Sequence, residues 1–244
     1  NRMTFNRCAV FALVISAVFF VAAFACDSKA RRIAELENGL HLQPQMDVVH
    51  LFDYDSADLS LKDRMAEHGV PGLSLTVIDD GEIDWAKTHG LRDAPTGVPV
   101  THQTIFEAGS ASKLVTATLA MMLVEQGDLS LDEPVNDSLL HWKIPDNEFT
   151  AERAVTLRML LSHVSGMNRP ASLFTFEADS SPTLIDVLEG SSPTINDPAV
   201  IEAVPGERHS YSNLAYNVIQ LLIEDVTGES FQDVVAARIF EPVG

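Results

Sequence analysis

Cysteine is nearly absent from this sequence. There are two, Cys8 and Cys26, both in or beside an N-terminal apolar stretch. No residue from 27 onward carries a thiol, which excludes a disulfide framework and a cysteine-based metal site from the folded part. Basic residues are scarce as well: 16 Lys and Arg stand against 35 Asp and Glu, for a formal net charge of −19. Nucleic-acid binders need a basic stripe to neutralise phosphates, and none is visible. Internal repeats and low-complexity tracts are missing too, which removes solenoids and arrays. What remains is an acidic chain, 46% hydrophobic, with enough apolar content for a sizeable core.

The first 26 residues read as a targeting segment. Arg2 and Arg7 make a positive start, and no charge follows from Cys8 to Cys26. Ala23-Phe24-Ala25 offers the small-x-small pattern that precedes signal cleavage. Three readings stay open: a lipoprotein signal with Cys26 as the lipidation site, an ordinary cleaved signal, and an uncleaved anchor, since about 18 apolar residues span a bilayer. Each puts the domain outside the cytoplasm, periplasmic or attached to a membrane through its N-terminus. Residues 1–25 are therefore the targeting segment, 26–55 a tether with a short helix at 30–36, and 56–244 the folded domain.

Within that domain the hydrophobic period changes along the chain. Ser56 to Gly69 reads as a helix with a serine N-cap and a glycine stop. Gly72 to Ile78 alternates as a half-buried strand does. Asp80-Gly81 is a hairpin turn signal, and Glu82–His89 is the returning strand. Thr104–Glu107 leads as a further strand toward Gly109. From Ser110 to Gln126 the pattern is helical and apolar on most sides, which predicts burial, with the Met121-Met122 pair in the core. Further helices are expected at 156–163, 183–189, 214–227 and 231–240. Trp85 and Trp142 read as packing residues. A lone hairpin is marginal in water, so the two early strands call for further sheet partners.

The chemistry gathers at two places. Ser110 and Lys113 stand three apart at a helix start, which puts them on one face. The helix N-terminus favours negative charge at Ser110. A serine hydroxyl needs an adjacent base to become a nucleophile. Holding Lys113 deprotonated near neutrality costs about 4 kcal/mol. Gly109 suits a tight turn and leaves room for a substrate carbonyl beside the Ser110 N–H, an oxyanion donor. A Ser-x-x-Lys match is short, and chance supplies about one in a chain of this size. The blander reading makes Ser110 an N-cap and Lys113 a surface charge. The second place is Tyr211-Ser212-Asn213, just before a helix. A tyrosine can accept and return a proton, and an asparagine amide can hold both Lys113 and a substrate carbonyl.

Taken in order, Phe106–Lys113, Val155–Met167 and Pro205–Tyr216 resemble three segments of the class C β-lactamase family, among the penicillin-recognising serine hydrolases. Gly127–Val135 and Val70-Pro71-Gly72 are similar to it as well. The resemblance covers about residues 56–244. It implies an α+β, β-lactamase/transpeptidase-like fold, a helical region packed on an antiparallel sheet. It implies that Ser110 is acylated, that Lys113 assists proton transfer, that Tyr211 is the general base and that Asn213 binds substrate. The implied substrates are a β-lactam, a D-amino-acid peptide or a small ester, of small-molecule or peptidoglycan-like kind, with no metal and no organic cofactor. The alternative is a non-catalytic or slowly acylating penicillin-binding module.

One departure stands out. The family's third motif, Lys/His-Thr/Ser-Gly, has no match after Asn213. Val226-Thr227-Gly228 lacks the basic residue, and Thr88-His89-Gly90 precedes Ser110. The expectation is a truncated domain whose C-terminal sheet strands are missing, and so an inactive fragment is a further alternative. His163 invites a Ser-His triad with Asp186 or Asp197, but a histidine on an apolar helix is more often a core residue, and its segment is read as structural.

Overall fold

A computed structural model describes residues 60–169 and 181–243 of the chain, together with 31 and 33. The targeting segment, the Cys26 lipidation site, Ser56 and nearly all of the tether lie outside the described residues. Arg31 and Ile33 are helical. The class is α+β, with one three-stranded antiparallel sheet and a set of helices. The chain divides into two compact units at Phe106/Glu107.

The first unit begins with helix α1 (Leu61–Glu67). Its cap is Ser60 rather than the predicted Ser56. The Asp63 amide donates to Ser60 Oγ at 3.3 Å, while the Asp63 carboxylate accepts from the Ser60 amide at 3.2 Å. This reciprocal capping box fixes the start of the helix. Strands β1 (Gly72–Asp79) and β2 (Glu82–Asp93) pair antiparallel, with Val77 opposite Trp85 and a register shift after Val77. The turn between them is Asp80-Gly81. Both residues have positive φ, 52° and 82°, as the hairpin turn that matches strand twist requires. Trp85 is buried, as expected of a packing residue. A two-residue strand, β3 (Val98–Pro99), joins β2. Its brevity suits Pro99, which has no N–H to extend a ladder.

The expected strand at Thr104–Glu107 does not form. These residues have no regular structure, and Ile105 and Phe106 are exposed. An extended segment becomes a strand only when a neighbour takes up its backbone groups.

The second unit is helical. A 3₁₀ turn (Gly109–Ala111) leads into α2 (Ser112–Gln126). The α-helix therefore starts two residues later than predicted, and Ser110 sits in the tighter turn that often opens a helix. Helix α2 buries Thr116, Leu119, Ala120 and Leu123, a stripe at helical spacing. Elsewhere on it, among the described residues, large apolar side chains are left open. Leu114 is 74% and Met121 44% exposed, and Met122 is only partly buried, which overturns the core reading of the methionine pair. With apolar residues all round, the sequence marks no outer face, and periodicity cannot select the buried one.

Short helices follow: α3 (Val135–Ser138), α4 (Glu148–Glu152), α5 (Leu157–Leu161) and α6 (Leu184–Glu189). Asn147, Thr156 and Thr183 cap the last three through side-chain oxygens. Trp142 packs, partly buried, against the core of this unit. Helix α7 (Asn213–Thr227) is central and touches α2, α5 and α6. It buries Leu214, Val218, Ile219, Leu221, Leu222 and Ile223. Each such side chain contributes about 1.5–3 kcal/mol on burial. The expected helix at 231–240 is α8 (Phe231–Val235) followed by a wider π turn over Ala236–Phe240, and α9 (Glu241–Val243) comes next. Near its C-terminal end α7 also buries a carboxylate. The Asp225 side chain accepts from the Leu140 amide at 2.6 Å and the His141 amide at 3.4 Å, and it meets His141 Nδ1. Val226-Thr227-Gly228 is the end of α7, with Gly228 as its left-handed stop.

Candidate active site

All the residues of the site belong to the second unit, and two local structures present them. The first is the turn into α2. Gly109 takes φ +53°, a conformation that costs glycine nothing. It puts Ser110 on an exposed corner, and Lys113 follows one turn later in the first turn of α2. Lys113 Nζ donates to Ser110 Oγ at 3.4 Å. The three-residue spacing thus acts as predicted.

The second is the entry to α7. Ser212 is its N-cap and is fully buried. The Ser212 hydroxyl accepts from the Ala215 amide at 3.2 Å and donates to the Asn168 carbonyl at 2.8 Å. A third bond runs from the Ser212 amide to His163 Nδ1 at 3.2 Å. Because Ser212 is pinned, its neighbours Tyr211 and Asn213 are presented on either side of it.

The two structures meet. Tyr211 Oη lies 2.8 Å from Ser110 Oγ, and Lys113 Nζ donates to Asn213 Oδ1 at 2.9 Å. All four residues singled out from the two motifs are therefore in one hydrogen-bonded cluster. Lys113 Nζ also sits 5.0 Å from the Tyr211 ring centroid and 5.5 Å from that of Tyr216, within range of a cation–π attraction. The Tyr216 hydroxyl donates to the Leu161 carbonyl at 3.2 Å. Arg169 stacks over the Tyr211 ring at 5.5 Å.

Charge in this cluster is uneven. Bonding to Lys113 first, and to Ser110 second, holds the Tyr211 phenol below its ordinary value, with the Arg169 charge helping. Tyr216 is pushed the other way, chiefly by burial. Two tyrosines five residues apart are thus separated in acidity by their surroundings.

His163 is not where the helical reading put it. It lies beyond the end of α5 with φ +58°, and it is only partly buried. Its ring centroid is 4.4 Å from that of Tyr211, 5.2 Å from Tyr216 and 5.9 Å from His209. Asp186 caps α6 with Thr183 and bonds Ser191, so it is engaged elsewhere than in a triad. Burial, then the charges of His209 and Lys113, keep the His163 imidazole below its ordinary value. Ser212 carried no functional signal of its own in the sequence, and the one His163 offered, a Ser-His triad, is not the role its contacts give it. A serine before a helix is readable as a cap, but the histidine's partners come from a segment 49 residues away. Among the described residues no group of His, Cys, Asp and Glu has the arrangement to hold a metal ion.

Comparison with known proteins places these motifs in context. Residues 58–244 match the family model described as Beta-lactamase. Penicillin-binding protein 4 of Amycolatopsis lactamdurans is 35% identical over 178 residues, which is 73% of this chain and 44% of that protein. The octameric penicillin-binding protein homologue from Pyrococcus abyssi superposes with a TM-score of 0.58 at 33% identity, over 75% of this chain and 41% of its own. The D-amino acid amidase from Ochrobactrum anthropi SV3, in complex with D-phenylalanine, superposes with a TM-score of 0.59 at 28% identity, over 75% of this chain and 47% of its own. The chain spans less than half the length of each of these three proteins.

Proposed function

Because this chain belongs to the beta-lactamase family, we propose that it supplies the nucleophile of a serine hydrolase that works through an acyl-enzyme on Ser110. The observation that carries this reading is the 2.8 Å contact between Ser110 Oγ and Tyr211 Oη, with Lys113 donating to the same serine. A nucleophile, a proton acceptor and a cation are within reach of one another, the arrangement such chemistry needs.

The hydrogen bonds have two consistent polarities. In one, Lys113 donates to Ser110 and Ser110 donates to an ionised Tyr211. In the other, Tyr211 donates to Ser110 and Ser110 to a neutral Lys113. The Tyr211 phenol, made more acidic than usual by Lys113 and Ser110, favours the first. Tyr211 is then the base, and Lys113 remains a cation that lowers the cost of the phenolate.

The reaction follows from that polarity. Ser110 Oγ attacks the substrate carbonyl carbon while its proton passes to Tyr211 Oη. The Ser110 backbone N–H faces the developing oxyanion. As the carbonyl re-forms, the C–N or C–O bond breaks, and Tyr211 returns the proton to the leaving nitrogen or oxygen. The acyl ester on Ser110 is hydrolysed when Tyr211 takes a proton from water and the water oxygen attacks; the C–Oγ bond then breaks, the acid product leaves and Tyr211 returns the proton to Ser110 Oγ. Asn213 holds Lys113 in place and offers its amide N–H to the substrate carbonyl. The substrate is a β-lactam, a D-amino-acid amide or peptide, or a small ester. The relatives' names support an amide with a D-configured or penicillin-like acyl part. Export through residues 1–25 belongs to the same proposal and rests on their composition.

Incubation with a fluorescent penicillin and with a p-nitrophenyl ester tests this. Labelling or turnover abolished by Ser110→Ala supports it. A long-lived adduct on Ser110 without turnover marks a penicillin-binding sensor instead. No reaction with either probe, by a protein that is folded by circular dichroism, overturns the hydrolase reading.

A further inference from the structure

Ser212 lies between the two residues of the second motif, and its amide points at an imidazole. A backbone N–H can only donate, so the Nδ1 of His163 must present a lone pair to it. The proton of a neutral His163 is therefore on Nε2. The same ring backs Tyr211 at 4.4 Å, tilted by 35°. His163 thus holds Tyr211 by its face and Ser212 by its edge, while Asn213 follows as the first residue of α7.

We propose that neutral His163 is a positioning residue for Tyr211 and Asn213, and that taking up a proton on Nδ1 releases them. The imidazolium carries N–H at both nitrogens. Its Nδ1–H would face the Ser212 N–H, so the bond turns from attraction into repulsion. Ser212 must then move or turn, and with it the adjacent Tyr211, whose hydroxyl bonds Ser110. The inference rests on the reading of Tyr211 and Asn213 as working residues, and it adds an acid-sensitive brace to them.

The charged and titratable groups around the ring fit this role. Lys113 from α2 and His209 from the loop before α7 face it, and both oppose a positive charge on it. Tyr211 and Tyr216 lie against its faces. Arg169 stands on the Tyr211 ring. Among the described residues no carboxylate shifts it, so an imidazolium gains no partner from them. His163 takes a positive φ, a backbone region in which asparagine and histidine are both enriched.

Asparagine at this position supplies a test that separates packing from titration. Its amide oxygen can accept the Ser212 N–H and does not titrate in this range, and it accepts the left-handed backbone. Phenylalanine keeps the ring against Tyr211 but has no acceptor. For His163→Phe the rate of Ser110 labelling by a fluorescent penicillin should fall about 10-fold at neutral pH, as expected for a lost hydrogen bond in the supporting structure. For His163→Asn much of that loss should be recovered, and the rate should fall less steeply with falling pH than in the unmodified protein, because only the Tyr211 phenol is left to titrate. An acid limb that persists unchanged in His163→Asn overturns the proposal.

Imidazole ¹⁵N chemical shifts of the unmodified protein give a readout that needs no activity. The expected result is a single Nε2–H tautomer that protonates below the ordinary histidine range, together with slow exchange of the Ser212 amide that quickens as it does. An Nδ1–H tautomer, or an imidazolium at neutral pH, overturns the proposal whether or not Ser110 reacts. If the tautomer is as expected while penicillin does not label Ser110, it is the hydrolase reading that fails and the brace that stands.

Discussion

Lys113 is held more closely by Asn213 than by Ser110. Its ammonium nitrogen is 2.9 Å from the asparagine oxygen and 3.4 Å from the serine oxygen. One motif residue therefore fixes another across 100 positions of sequence. Asn213→Ala should leave Lys113 without this anchor and slow Ser110 acylation by about 10²-fold, the usual cost of misplacing a reacting group. Lys113→Arg should not restore an Lys113→Ala variant, since a planar guanidinium cannot take the place of a compact ammonium. Stopped-flow labelling with a fluorescent penicillin checks both.

The second prediction concerns pH. Tyr211 has its phenol held below the ordinary value of 10.0 by Lys113 and Ser110. A depressed acid is ionised over a wider range, so the active phenolate is present above that lowered value and disappears as pH falls through it. Acylation should therefore rise with pH and level off before the range in which free tyrosine titrates. Tyr211→Phe should remove this rise and lower the plateau by about 10²–10⁴-fold, the span of general base contributions. A pH–rate profile of both proteins decides it. An unchanged rising limb in the phenylalanine variant would assign the proton to another group.

Asp225 offers a prediction about stability alone. Its carboxylate is fully buried, whereas the His141 side chain that meets it is 73% exposed. Asp225→Ala leaves the Leu140 amide without its acceptor, so it should destabilise the protein by about 1–3 kcal/mol. His141→Ala should cost less than about 1 kcal/mol, as an exposed partner does. Thermal melts of the two variants should separate them clearly, with Asp225→Ala melting lower.

Two glycines with positive φ should behave differently. A Cβ on Gly166 would sit 2.2 Å from the Ala203 carbonyl oxygen, while a Cβ on Gly109 would meet nothing within 4 Å. Gly109→Ala should therefore cost only the left-handed backbone penalty, about 1–2 kcal/mol. Gly166→Ala adds a clash with rigid backbone and should cost more, about 3–5 kcal/mol, the range of severe single substitutions. Chemical denaturation measures both. Equal effects would mean that the segment around Ala203 yields easily.

The hairpin and most of the helix starts were legible because their signals are local. Asp80-Gly81, Thr156, Thr183 and Gly228 act within a few residues of their own position, and the chain needs nothing distant to obey them. Ser110, Lys113, Tyr211 and Asn213 were legible through ordered resemblance rather than local physics, since a Ser-x-x-Lys by itself is nearly as common as chance. What stayed hidden depends on the opposite side of the fold. The outer face of α2 carries Leu114 and Met121, which look like core residues until the position of α7 is known. The run before Gly109 looks like a strand, but none of the described residues pairs with it. His163 looked like a helix-packing residue because its partners Tyr211, Ser212 and Tyr216 come from a later segment. The polar site was easier to read than the apolar surface, because a reactive group is rare and a leucine is not.

The separation of Ser110 from Tyr211, 101 positions along the chain, has a consequence for how the molecule comes into being. Bringing the ends of so long a loop together costs about 4 kcal/mol of chain entropy, and contacts of this span are repaid only once the intervening helices have packed. A nascent or half-folded chain therefore carries a serine as inert as any other. On the proposed function, reactivity arrives only with the completed fold, and a half-folded chain offers no activated serine to a passing acyl donor.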